Sequence, residues 1–482
     1  MVESKIPPVP NPVGAELVTS GEFGHVSPKE HEFKSRRKYP RSLQDNLLRR
    51  ETAYKRYPSS IIARNFVPNY TVANRMKYHW RTYNGQFSED GDYFYTASQD
   101  CRIRLYKTRQ NFPWRVYKTV RAEPSRWTIT DVTQSPDSRW LAYSTLLSSV
   151  QLTSTAEDVN EIVSIDLRSD QPLRNRLNVK IWSIKFSPDG RQLIAGASDC
   201  SITVCDIETK QILLNLEGHS DDVNAVCFGD EAGNILFSGS DDHMVKVWDR
   251  RSMRNGQESG KLMGHVEGIT YVDSKRDGRY LISNGKDQVM KLWDIRKMYT
   301  PDTYSKLDHN DYGSRFDYRR QTFPGIIGFS HPNDCSVMSY YGHRVEKTLI
   351  RCHFSPPMAS GSQYLYSGSS DGRAHVWNLD GTIARVFEPS AKGMASRDPA
   401  QAPGRTRLPR RAIEPACVRD ISWHPNLPII ATTLWGATDN DCNAVVMHEW
   451  RDPTEIDSDD DFDDRSSLDY EDSDTAGIEF YY

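Results

Sequence analysis

The stretch ILFSGSDDHMVKVWDRR, residues 235–251, decides the fold. Two β-rich runs flank the polar pair Asp241-Asp242, and the second run ends on Trp248-Asp249. Such runs, separated by turn residues, read as paired strands. Two further segments align with this one without gaps, ISNGKDQVMKLWD at 282–294 and YSGSSDGRAHVWN at 366–378. In each, a serine (Ser238, Ser283, Ser367) stands four residues before an aspartate (Asp242, Asp287, Asp371). The tryptophan follows six residues later (Trp248, Trp293, Trp377). Weaker copies lie at 96–107 and 195–206, where Tyr106 and Cys205 take the tryptophan place.

Self-similarity at about 40 to 45 residues, with four strands to a unit, is the signature of a β-propeller. The chain is therefore expected to be all-β, a seven-bladed WD-repeat β-propeller, with blades at 80–121, 127–167, 180–217, 221–263, 268–341, 345–388 and 417–450. An eighth blade is the alternative, because the polar, tyrosine-rich stretch 297–335 is long enough to hold one. It lacks the Ser, Asp and Trp pattern and reads instead as an excursion before SVMSYY. The last unit stops one strand short, so a strand within SIIARNFVPNY (60–70) is expected to close the ring and remove its open edges. Gly-His pairs at 218–219, 264–265 and 342–343 precede three blades. His219, Ser238 and Asp242, His265, Ser283 and Asp287, and Ser367, Asp371 and Trp377 are assigned to buried hydrogen-bonded networks that stiffen their blades.

Outside the ring, residues 1–57 form an N-terminal extension, Pro-rich and then basic (KSRRKYPR, 34–41), expected to be disordered up to a short amphipathic helix at 42–57. The propeller spans 58–452 with an insertion at 391–415, and 453–482 is an acidic, disordered tail. The net charge of −4 conceals this asymmetry, since 455–474 holds eleven acidic residues and one arginine and leaves +6 on the rest. Tail solubility is the plainest reading, with a basic substrate patch or the propeller's own basic surface as other occupants. Ser458, followed by three aspartates, suits an acidophilic kinase. The spread of basic residues argues against nucleic acid, which calls for a concentrated basic face. Eight scattered cysteines without a CxxC pair fit a reduced compartment, and no stretch of 18 apolar residues points to a membrane span. The basic run at 34–41 is either an import signal or a solvated tail, giving an expected localisation in nucleus and cytoplasm.

No phosphate-binding loop, HExxH or GxSxG motif occurs, so no catalytic residue, cofactor or metal is expected. His219, His265 and His343 could be read as metal ligands and Asp242, Asp287 and Asp371 as paired carboxylates, yet each belongs to the repeat of its own blade. Cys205 reads as a small buried filler. A propeller enzyme or peptide reader would instead gather titratable groups in the central channel.

Arg251 lies three positions after Trp248 and Arg296 three after Trp293, so adjacent blades present a cation at the same rim. The spans 236–251 and 281–296 resemble the sixteen-residue WDxR box of the DDB- and cullin-associated factors. In the second, Asn284 and Lys286 interrupt the run of small residues. Longer stretches, DSKRDGRYLISNGKDQVMKLWDIR, GHRVEKTLIRCHFSP and ACVRDISWHP among them, are similar to member eleven of that family and to related plant and fungal proteins. The resemblance implies a non-enzymatic substrate receptor of a cullin-RING ubiquitin ligase. Trp248, Asp249, Arg251, Trp293, Asp294 and Arg296 would hold the DDB adaptor, aided by the 42–57 helix, and the other face would recruit a protein of unknown identity. Arg250 would be a solvated charge or a local pair. The alternative is a WD-repeat scaffold outside the ligase system.

Overall fold

Seven four-stranded antiparallel sheets form the ring in a computed structural model that describes residues 7–23, 66–122, 127–168, 179–253, 256–307, 310, 312–314, 316–389, 416–436 and 443–452. The fourth blade shows the plan, with Val223–Phe228 innermost, then Ile235–Ser240, Val245–Asp249 and Gly260–Leu262. Its two inner strands are buried along almost their whole length, because each blade is covered on both faces by its neighbours. Outer strands keep the alternation of a half-exposed strand, as Ile212–Glu217 does in blade 3.

Close packing between blades explains the small residues of the motif. A Cβ on Gly239 would lie 2.6 Å from Cγ2 of Ile269 and 2.7 Å from Cγ2 of Val272 in the next blade, so only glycine fits. Turns between first and second strands are tied by side chains. In blade 3, Ser187 Oγ donates to Asp189 (2.5 Å) and accepts the amide of Gln192 (2.9 Å). These turns and those between third and fourth strands form the lower rim of the ring. Turns between second and third strands and the links between blades form the upper rim.

The strand that closes the ring is Tyr70–Lys77, antiparallel to Ala444–Glu449 of blade 7. It begins where the expected segment 60–70 ends. Pro68 lacks the amide a ladder needs, whereas in 70–77 Met76 and Val72 pack into the core between blades 7 and 1. The stretch 297–335 is an excursion, and blade 5 closes afterwards with Met338–Tyr340.

Part of the amino-terminal segment is ordered on the propeller, contrary to the expectation of disorder over 1–41. Helix α1 (Pro12–Ser20) has Asn11 as N-cap, accepting from Val13 N at 2.9 Å, and ends at Gly21 with φ of 80°. Leu17 and Phe23 enter the core beneath blades 5 and 6, where Phe23 meets the ring of Tyr280 at 4.8 Å. The 42–57 helix, the 34–41 run, the 391–415 insertion, and the tail with Ser458 lie outside the described residues.

Candidate docking rim

The lower rim is built upward from the blade networks. In blade 4, Ser238 Oγ accepts from the indole of Trp248 (2.9 Å) and bonds His219 Nε2 (2.7 Å), whose Nδ1 meets Asp242 (2.7 Å). Blade 5 repeats this with Trp293, Ser283, His265 and Asp287 at 2.7, 2.7 and 2.9 Å. Burial alone would raise both aspartates, but the histidines outweigh it and hold them below the ordinary carboxylate range. The network fixes the end of the third strand, and with it the Trp-Asp pair at the rim.

Blade 6 departs from the expected network. Asp371 accepts the amide of Arg373 (3.1 Å), Trp377 donates to the carbonyl of Tyr341 (3.1 Å), and Ser367 Oγ accepts from Asn284 Nδ2 (3.0 Å). His343 Nε2 likewise bonds Asn284 Oδ1 (2.8 Å) rather than a partner in its own blade. The cause is the residue at 284. Where blade 4 has Gly239, blade 5 has an amide long enough to cross into blade 6, so the interrupted box is an inter-blade tie. Blade 7 adapts differently, with His448 in the tryptophan place bonding Thr432 (3.0 Å) and Thr71 (2.9 Å). Cys205 is a buried filler whose thiol burial pushes up to about 12.

Arg251 and Arg296 are held alike on this rim. Asp249 accepts Arg251 N (3.0 Å), Nε (2.9 Å) and Nη2 (2.9 Å), and Asp294 accepts Arg296 N (3.0 Å), Nε (3.1 Å) and Nη2 (2.7 Å). Each guanidinium is thus gripped on one edge and offers its other edge to solvent, with 63% of either side chain exposed. A planar fork aimed this way suits carbonyl or carboxylate acceptors on a partner. Asp294 is shared with Arg279 (Nε 3.1 Å, Nη2 3.0 Å), which pairs in turn with Glu22, so the strap after α1 reaches the second box. Arg250 is not a solvated charge. It crosses to blade 3, donating from Nη1 to Gln192 (2.9 Å) and to the carbonyl of Gly233 (3.0 Å).

The channel does gather titratable groups. Arg351 lies between Asp131 (2.6 Å) and Asp420 (3.5 Å), and His353 between Asp273 and Asp420 (3.6 Å each). Each aspartate also accepts a backbone amide: Asp131 from Ile184 (2.9 Å), Asp420 from Gly85 (3.0 Å) and Asp273 from Phe354 (3.0 Å). Their donors come from neighbouring blades, so these groups tie the ring together. Sequence reading missed this set, although Asp131, Asp273 and Asp420 all stand within inner strands.

Comparison with known proteins agrees with this architecture. The family model described as WD domain, G-beta repeat matches residues 83–107, 173–206, 210–249, 256–294 and 335–378. A LEC14B homolog from Prunus armeniaca is 38% identical over 364 residues, covering 74% of this chain and 70% of the relative. The LEC14B protein of Lithospermum erythrorhizon is 40% identical over 364 residues, covering 73% and 70%. A DDB1- and CUL4-associated factor 11 homolog from Caenorhabditis elegans is 31% identical over 362 residues, covering 73% and 58%. With seven blades, two Trp-Asp-anchored arginines and this extent of identity, the chain belongs to the WD-repeat propeller family that includes the LEC14B proteins and the DDB1- and CUL4-associated factor 11 homologs.

Proposed function

We propose that the chain is a substrate receptor of a cullin-RING ubiquitin ligase, docking on the DDB adaptor through its lower rim and recruiting a protein for ubiquitination on its upper face. The observation that carries this reading is the matched pair of outward guanidinium groups of Arg251 and Arg296, each braced by the aspartate of its own Trp-Asp pair. The name of the Caenorhabditis elegans relative, a DDB1- and CUL4-associated factor 11 homolog, supports this adaptor and a cullin of that kind. The receptor performs no chemistry. It holds a substrate near the conjugating enzyme and so raises the effective concentration of substrate lysines. The basic run at 34–41 supports action in the nucleus as well as the cytoplasm. Co-purification of the adaptor with wild type, and its loss from a folded Arg251→Ala, Arg296→Ala variant, is the test. Capture of no adaptor by wild type would favour the plain scaffold.

A further inference from the structure

At the upper rim the channel opens into a mouth of about 840 Å³ bordered by blades 1, 2, 3, 6 and 7. The blade-5 excursion reaches it as well. Ser314 donates to Glu267 on that rim from both its amide (2.5 Å) and its hydroxyl (2.6 Å). The carbonyl of Tyr318 accepts the amide of Lys347 (2.7 Å). These anchors bring Arg319 and Arg320 to the mouth, beside Arg81, Lys180, Lys347 and Arg419. Against these cations the described lining residues include one carboxylate, Glu346, which accepts the amide of Phe323 at 3.0 Å, and Arg320 pairs with Asp317 beside the mouth (4.0 Å). A chain with net charge −4 thus concentrates positive charge at one concavity.

Indoles stand among the cations. Arg81 lies over the ring of Trp435 at 4.8 Å and Lys180 over that of Trp182 at 6.0 Å. Trp127 is 60% exposed, with its backbone at φ 82°, a left-handed conformation that bulky residues rarely adopt. A large apolar ring left in water at a concave, charged mouth is a feature of binding sites.

The inner strand of blade 7 (Cys417–Trp423) supplies the second observation. Arg419 is buried, and its Nη1 donates to the carbonyl of Tyr83 and to Asn84 Oδ1 (2.7 Å). Its Nε has no partner, and among the described residues no carboxylate comes within 4 Å of it. Arg351, deeper in the channel, has two. Asp420 and Asp131, whose charges act on Arg419, are engaged with Arg351, and a buried guanidinium with no carboxylate in contact is costly unless a ligand supplies one.

We propose that this mouth is the substrate-recognition site and that its ligand is an acidic linear peptide segment of the recruited protein. One carboxylate reaches Arg419, and an adjacent side chain lies on Trp127. The assignment to a substrate rests on the receptor reading above, whereas the binding chemistry does not. A single concavity with interleaved indoles suits a short extended peptide, while nucleic acid calls for a basic stripe tracking a phosphate backbone.

The test is fluorescence polarisation on the full chain without adaptor, using a fluorescein-labelled 15-residue Asp/Glu-rich peptide containing one Trp, and its Asn/Gln counterpart. A second chain, with Asp459, Asp460, Asp461, Asp463 and Asp464 replaced by Asn, removes competition in cis from the tail. The acidic peptide is expected to bind at least about tenfold more tightly than its counterpart. That binding should weaken with salt. It should also fall at least about tenfold in a Lys180→Glu, Arg319→Glu, Arg320→Glu variant. That variant should melt with wild type and still capture the adaptor if the docking reading holds. Equal binding of both peptides, no binding by either chain, unchanged binding by the charge-reversed variant, or tighter binding of a single-stranded RNA to the same mouth would overturn the proposal. Because no adaptor is present, these outcomes are independent of whether the lower rim docks.

Discussion

Replacing Asn284 with glycine would restore the small-residue run of the second box and should nevertheless destabilise the protein. Asn284 is fully buried, donates to Ser367 Oγ (3.0 Å) and the carbonyl of Ile350 (3.3 Å), and bonds His343 through Oδ1 (2.8 Å). Ser367 keeps the carbonyl of Arg351 (3.1 Å) and Ile350 keeps Thr270 (3.0 Å), so those two groups retain partners. His343 does not, because its Nδ1 already lacks one. The two bonds whose partners stay satisfied, at about 1 kcal/mol each, and the orphaned His343 nitrogen, at about 1 to 2, give about 3 to 4 kcal/mol. The glycine itself adds somewhat under about 1 kcal/mol. With an unfolding entropy of about 2.1 cal/mol/K per residue over roughly 390 residues, the melting temperature falls by about 4 to 6 °C. Urea titration and calorimetry measure it. Adding His343→Phe should recover about 1 to 2 kcal/mol, since no nitrogen is then stranded. A glycine variant that melts with or above wild type would refute the inter-blade tie.

Acidification is a second perturbation with a definite sign. Burial, chiefly, lowers His343 and His448 to about 3. The unfolded chain takes up these protons near pH 6.5 while the folded chain does not. Stability present above that value is therefore lost as pH falls, by about 2 kcal/mol per histidine between pH 7 and 5. His353 acts oppositely. Burial lowers it, but Asp273 and Asp420 outweigh burial and raise it, so its contribution is present at low pH and lost as pH rises through the folded value. Net acid loss should shrink in His448→Gln, and an unchanged slope of melting temperature with pH would contradict the assignment. Phe23→Ala should remove the anchor of the amino-terminal strap at a cost of about 3 kcal/mol, read as faster proteolysis at 12–23 with the ring intact. Cleavage at the wild-type rate would show that α1 is held otherwise.

What was legible in the sequence follows from where the determining contacts lie. Ser238, Asp242 and Trp248 are joined through His219 within one blade, so a repeated spacing announces the blade and the count, and the network in blades 4 and 5 though not in blade 6. Asn284 with His343, and Arg351 with Asp131 and Asp420, join residues far apart in the chain, and no local spacing records them. Arg250 is not the solvated charge the sequence allowed, and beyond its bond to Gly233 in the same blade its partner in blade 3, Gln192, leaves no local spacing either. The strap was recoverable, since Asn11-Pro12 and Gly21 bracket α1 as start and stop signals, but a Pro-rich composition outweighed them. The braced pair of rim arginines is visible in the sequence because each brace is two residues away, and the mouth is not because eight separate stretches line it.

On the proposed function, Arg251 and Arg296 act as braced forks on a partner. The most direct measurement is the affinity of purified DDB adaptor for wild type, for the Arg251→Ala, Arg296→Ala variant, and for the corresponding double lysine variant. Since both side chains are largely exposed, all three should melt together. Wild type should bind, and both variants should bind at least about tenfold more weakly, because lysine keeps the charge but cannot be gripped and presented as a fork. Equal affinity of all three would show that the two arginines do not hold the adaptor.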